Sequence, residues 1–170
     1  MDEAVLRALA RWPNVPACYG WLSLDRRGRW RMQGEPVAHV GLADFISRNY
    51  GCDDAGNWFT QNGPQKVFVA LTYTPWILRI AASGFVTHTG QPFTAEAGWV
   101  DEEGSLLLSG PQGVGLVHDH DLTALADFIE LPEKEAPGRL HLAGTLLPLN
   151  PIRAAEIPAR FGFRPSPQPV

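Results

Sequence analysis

Apolar positions recur along this chain with two different periods, and the changes of period mark its elements. Val5, Leu6, Leu9 and Trp12 follow helical spacing, with Asp2 placed to cap a short helix and Pro13 to stop it. After Asn14-Val15-Pro16 the period drops to two. Cys18, Gly20, Leu22 and Leu24 share one face of a strand over Ala17 to Leu24, and Tyr19, Trp21 and Ser23 share the other. Asp25-Arg26-Arg27-Gly28 is turn chemistry, so Arg29 to Gln33 is expected as the partner strand. Beyond a Gly34-Glu35-Pro36 turn, Leu42, Phe45, Ile46 and Tyr50 form the inner stripe of a helix predicted over His39 to Tyr50, which Gly51 terminates.

From there strands dominate. An acidic turn from Cys52 to Gly56 precedes a strand over Asn57 to Gln61, and Asn62-Gly63-Pro64 leads to an alternating strand, Lys66 to Leu71. Asn-Gly is a hairpin signal, while Pro64 argues for a loop longer than two residues. Further strands are expected over Trp76 to Ala82, Phe85 to Thr87, Ala97 to Val100 and Ser105 to Ser109, joined by turns at Ser83-Gly84, Thr89 to Pro92 and Asp101 to Gly104. A glycine-rich connection, Gly110 to Gly115, reaches a short Leu116-Val117 strand, and Asp121 is placed to cap a helix with Leu122, Leu125, Ala126 and Ile129 on one face.

The remainder holds an amphipathic stretch, Leu140 to Leu147, and a short helix opened by Asn150-Pro151. The tail Arg164 to Pro169 is proline-rich and expected to be mobile. The fold class is α+β, mostly antiparallel hairpins. A helix and hairpin-helix half-domain is expected over residues 1–52, a strand-rich half-domain with seven short strands and a closing helix over 53–131, and an extension over 132–170.

One pattern occurs twice. Gly20-Trp21-Leu22, an acidic turn ending at Gly28, a strand and then Leu42 to Ile46 return as Gly98-Trp99-Val100, a turn ending at Gly104, a strand and then Leu125 to Ile129. The turn alone also occurs at Asp53 to Trp58. Structural duplication and independent use of one turn chemistry both account for it.

Composition narrows the class of protein. A chain of 170 residues with 45% hydrophobic and 19% charged residues is outside the range of wholesale disorder and long enough to bury a core. Cys18 and Cys52 are too few for a disulfide framework and read as buried or half-buried thiols. No apolar run approaches the roughly 20 residues of a membrane span and the first residues are acidic, so no membrane partner and a cytoplasmic location are expected. The net charge of −4 divides as +2 over residues 1–50, −8 over 51–130 and +2 over 131–170, which disfavours long nucleic acids.

Gly28-x-Trp30-x-x-x-Gly34-x-Pro36-Val37, Leu42-x-x-Phe45-Ile46, Gly56-x-Trp58-Phe59, Pro64-x-Lys66-Val67-x-Val69 and Thr74-Pro75-Trp76 resemble an uncharacterised bacterial domain-of-unknown-function family, over about residues 28–90. The resemblance implies two half-domains, the second pleckstrin-homology-like, with a ligand site at their junction and a signalling role. Where that family has a Val-Glu-Lys-like sequence this chain has Gly63-Pro64-Gln65-Lys66, so an acidic site residue has no counterpart.

No catalytic motif is present. Ser23, Ser47, Ser83 and Ser105 lack a nucleophile-elbow context, and Gly110 to Gly115 lacks the Lys-Ser/Thr of a phosphate loop. His118-Asp119-His120-Asp121 is the string that most resembles a metal site, but Asp121 is already read as a cap and spacing supplies no third ligand. No metal or cofactor is therefore expected. Trp30, Trp58 and Trp76 with Asn62, Lys66, Arg79 and His88 offer an aromatic wall with cationic, amide and imidazole groups. Such a set suits a small anionic or nucleotide-like ligand. The leading expectation is thus a non-enzymatic ligand-binding or sensing protein. The alternatives are an enzyme with a His/Asp site assembled from distant segments, and a protein-interaction module using a sheet edge or the proline-rich tail.

Overall fold

The computed structural model describes residues 1–11, 15–82, 84–131, 138–142 and 145–169. Trp12, Pro13 and Ser83 lie outside the described residues. The chain divides into two units, Met1–Tyr73 with Gly162–Val170, and Thr74–Phe161.

In the first unit the N-terminal apolar stripe forms α1 (Glu3–Arg11), with Val5 buried. The expected hairpin forms from β1 (Cys18–Leu24) and β2 (Trp30–Met32). The chain then turns at Gln33-Gly34 rather than at 34–36, so that Glu35–Pro36 becomes a short edge strand, β3, paired with β2. Helix α2 spans Val40–Arg48, shorter than predicted at both ends. The His39 side chain accepts the Leu42 N–H and sets the start, and the backbone leaves the helix at Asn49. Tyr50 and Gly51, expected as the last helical residue and its terminator, belong instead to β4 (Tyr50–Cys52).

β4 pairs with β5 (Trp58–Asn62), and β5 with β6 (Gln65–Leu71) through a two-residue Gly63-Pro64 turn, not the longer loop that Pro64 suggested. The sheet order is β3-β2-β1-β6-β5-β4, with β1 and β6 parallel. β5 and β6 thus belong with the first hairpin, and the sheet crosses the boundary expected after residue 52. Trp58 and Thr60 of β5 and Val67, Val69 and Leu71 of β6 face α2, while Phe59, Lys66 and Phe68 alternate to the opposite face. The α2 side buries Leu22, Leu24, Trp30, Ile46, Trp58, Val69 and Leu71. The tail does not hang free. Phe163 and Pro167 are buried, Arg164 N–H donates to Gly56 O at 2.8 Å, and Leu71 N–H donates to Pro165 O at 2.7 Å.

The second unit contains β7 (Trp76–Ala81), β8 (Gly84–Thr87), β9 (Pro92–Phe93), β10 (Ala97–Val100), β11 (Leu106–Gly110), β12 (Gly113–Val117), α3 (Asp119–Leu125), β13 (Ile129–Glu130), β14 (Gly138–Leu142), β15 (Thr145–Pro151) and α4 (Ile157–Phe161). These strands make one sheet in the order β13-β14-β15-β10-β11-β12-β7-β8-β9. The glycine-rich segment is no open loop: it extends β11 and β12 and turns within Pro111-Gln112. The segment after residue 131 is no appendage either, because β15 pairs parallel with β10 and places Leu147 and Leu149 in a core with Leu78, Leu106, Leu108 and Leu140.

The repeated turn has one geometry in three places. In each, the Asp Oδ1 accepts the N–H groups two and four residues on: Arg27 and Arg29 at Asp25, Ala55 and Asn57 at Asp53, Glu103 and Ser105 at Asp101. The glycine three residues on takes φ of +76° to +79° and donates to the Asp carbonyl. Burial raises the Asp25 and Asp53 pKa values. The backbone donors, with Arg29 and Arg31 at Asp25 and with Asn57 and Lys66 at Asp53, outweigh it and hold both below the ordinary carboxylate value. The likeness extends to the neighbours, since Leu24 O accepts from Thr72 N–H and Val100 O accepts from Ile152 N–H.

Candidate functional site

An isolated glycine inside a strand marks a bulge or a close backbone approach. Gly20 takes φ +75°, and the register of β1 against β6 shifts between Cys18 and Leu22. The two-residue alternation expected for β1 breaks there, so Trp21 and Leu22 both turn to the α2 side.

They line a pocket of about 340 Å³ between the sheet and α2. α2 contributes Leu42, Phe45 and Ile46; β2 contributes Met32; β5 and β6 contribute Thr60, Asn62 and Val67. The predicted inner stripe of α2 is real, but only Ile46 is fully buried. Leu42 is 38% exposed, and Met32 (40%) and Trp21 (51%) are open beside it. No lining residue carries a charge. The Thr60 hydroxyl donates to Ile46 O at 3.2 Å, leaving the exposed Asn62 as the other polar side chain of the wall.

Of the seven residues expected at a site, four lie in the first unit. Trp30 and Trp58 are buried and sandwich Tyr50, at centroid distances of 5.0 and 4.8 Å, and the Trp30 indole N–H donates to Ser47 Oγ on α2. Asn62 lines the pocket. Lys66 is on the opposite face, its Nζ 4.4 Å from the centre of the Phe59 ring.

Trp76, Arg79 and His88 are in the second unit. The His88 ring lies 5.8 Å from the Trp76 ring, and its Nδ1 accepts the Ile77 N–H at 3.3 Å. Burial lowers its pKa to about 3, so it is a neutral ring packed in the structure, not a solvated turn residue. Arg79 makes a two-pronged pair with Asp121, at 2.8 and 3.0 Å, which raises the Arg79 pKa and lowers that of Asp121. Asp121 also accepts the Ile80 N–H. The cap expected of Asp121 is supplied by His118, whose side chain accepts the His120 N–H.

His118, Asp119 and His120 bring their ligand atoms within 4.8 Å of one another. The cap bond occupies His118 Nδ1, and the Arg79 guanidinium contributes a repulsive charge that lowers the His118 pKa further after burial. Cys52 is exposed, contrary to expectation. Its thiol is pushed up by partial burial and by Asp53 and Asp54, which is the opposite of activation.

Trp21, Met32, Thr60 and Val67 were not anticipated as pocket residues. Gly20 is the signal for Trp21, which the break in alternation turns to the pocket side.

A family profile described as "Protein of unknown function (DUF2946)" and labelled DUF2944 matches residues 1–168. The chain belongs to the DUF2944 family. The resemblance drawn from the sequence thus holds at the level of a domain family of unknown function. The crystal structure of a DUF1285 family protein from Silicibacter pomeroyi DSS-3 is similar to this DUF2944 chain, with a TM-score of 0.58 and 18% identity over 88% of this chain and 96% of the other. That likeness shows a shared fold. A DUF1285 family protein from Shewanella baltica OS155 matches with a TM-score of 0.44 and 14% identity, over 63% of this chain and 91% of the other. No curated protein matches the sequence. Among the described residues, no helix is long and apolar enough to cross a membrane.

Proposed function

We propose that this protein is a non-enzymatic binding or sensing module that takes a small uncharged apolar group into the pocket beneath α2. The observation that carries this reading is the composition of the wall: seven apolar side chains, Thr60 already engaged, and Asn62 at the edge. A phosphate there would meet no cation and lose its hydration. An alkyl or aryl group would cover Leu42, Met32 and Trp21, which water now reaches. The volume is within the range of ligand pockets and corresponds to about ten methylene-sized groups, taking each as roughly the 30 Å³ of a water.

The ligand is therefore of a different chemistry from the anionic one expected from Lys66 and Arg79. Because Leu42, Phe45 and Ile46 come from one turn of the same helix, an occupant contacts the middle of α2, and α2 is the element through which occupancy is signalled. The pleckstrin-homology-like reading of the strand-rich unit is part of the same proposal, supported by the run of hairpins β7 to β12 followed by α3.

Thermal unfolding with 1-decanol, decanoate and AMP tests the proposal. A ligand bound by the folded state alone raises the midpoint. Decanol is expected to raise it, AMP to leave it unchanged, and Leu42→Trp, which fills the mouth of the pocket, to suppress the decanol shift. No shift with decanol, or an undiminished shift in L42W, would overturn the reading.

A further inference from the structure

On the face of the first sheet opposite α2, the Tyr19 and Phe68 rings stack at 4.6 Å with an interplanar angle of 13°. With Gly20 and Ala70 they form a flat shelf, and the chain's own residues 166–169 lie across it. We infer that this shelf is a docking groove for a proline-rich segment of another protein, held in reserve by the chain's own tail.

The seated tail shows what the groove accepts. Pro165, Pro167 and Pro169 alternate with Ser166 and Gln168. Each proline fixes its own φ and biases the residue before it, so the run stays extended and loses little entropy on docking. Extended proline-rich segments dock on aromatic surfaces for this reason. Gly20, lacking a side chain and with open space at its Cβ position, leaves the shelf level beside Tyr19.

The tail is bonded through its main chain at its root, and beyond the root buried and exposed residues alternate. Arg164 and Pro165 make main-chain bonds to Gly56 and Leu71. Past them Pro167 is buried, whereas Ser166, Gln168 and Pro169 are exposed. A space of about 370 Å³ remains between this segment and the shelf. A tethered segment competes at an effective concentration near millimolar, so it excludes weak partners and yields to one that fills the space better. The groove is on the face away from the apolar pocket, and the two assignments stand or fall separately.

The test uses the full chain and a fluorescein-labelled peptide with the sequence of residues 163–169. Pro167→Asp should release the tail and raise peptide affinity at least about tenfold over the unaltered chain. Tyr19→Ala in the P167D chain should lower it again by at least about tenfold, with the urea midpoint unchanged. If P167D fails to fold, Pro167→Gly takes its place. Equal affinity of the released and unaltered chains, or indifference to Tyr19→Ala, overturns the inference. So does a dimer of the unaltered chain, seen by sedimentation, that P167D dissociates, because it would assign the groove to tail exchange between copies.

Discussion

The backbone N–H of Asp2 donates to Asn49 Oδ1 at 2.7 Å, and Asn49 Nδ2 donates back to the Asp2 carboxylate at 3.2 Å and to Phe45 O at 3.0 Å. Asn49 is 1% exposed, so this pair fastens α1 to the end of α2 from inside the first unit. The Arg48 guanidinium and the Asn49 amide hold the Asp2 pKa below its ordinary value. Asn49→Ala leaves buried partners unmet and should cost about 2 kcal/mol. Urea unfolding measures the cost, and faster amide exchange confined to α1 identifies its source.

The Asp-x-x-Gly turns separate backbone strain from collision. Gly56 and Gly104 both take φ +79°, but a Cβ at Gly104 meets open space while one at Gly56 collides with the Gly162 carbonyl. Gly104→Ala should cost about 1–2 kcal/mol, the left-handed penalty alone. Gly56→Ala should cost clearly more and loosen residues 162–165. Equal costs in denaturant titrations would contradict this.

On α2, Ile46→Ala should cost about 3 kcal/mol, since Ile46 is 3% exposed. Phe45, half-buried along the pocket, should cost less on change to Ala while enlarging the cavity. Unfolding midpoints read the first effect and decanol affinity the second.

His88 gives the second unit a dependence on pH. Its folded pKa of about 3 lies below the ordinary imidazole value of 6.5, so between these values the unfolded chain binds a proton that the folded chain refuses. Stability is full above pH 6.5 and falls by about 1.4 kcal/mol per pH unit below it. His118, also lowered, acts in the same direction. His88→Gln should reduce the slope between pH 6 and pH 4.5 by about one proton without abolishing it. The depressed carboxylates Asp25 and Asp53 stabilise the fold above their ordinary value of 3.8 and withdraw that support only at lower pH.

Local chemistry was legible in the sequence and long-range pairing was not. The Asp25-to-Gly28 turn, the α2 stripe and the hairpin at Asp101 follow from residue types a few positions apart. The parallel contacts of β1 with β6, β12 with β7 and β10 with β15 join segments with no mutual signal, and they determine which strands share a sheet. Without that signal, the sequence places β5 and β6 with the strand-rich half. Side-chain competition explains other departures: Asp121 satisfies Arg79 and Ile80, so His118 serves as the cap. Of the expected site residues only Asn62 lines the apolar pocket, because Trp30 and Trp58 are spent on the core.

The first unit is completed by a segment that follows the whole of the second unit in the sequence. On the ribosome, where roughly 5–20 residues are added each second, Tyr19 and Phe68 emerge several seconds before Pro167 does. During that interval the tail is not yet there to cover the aromatic face.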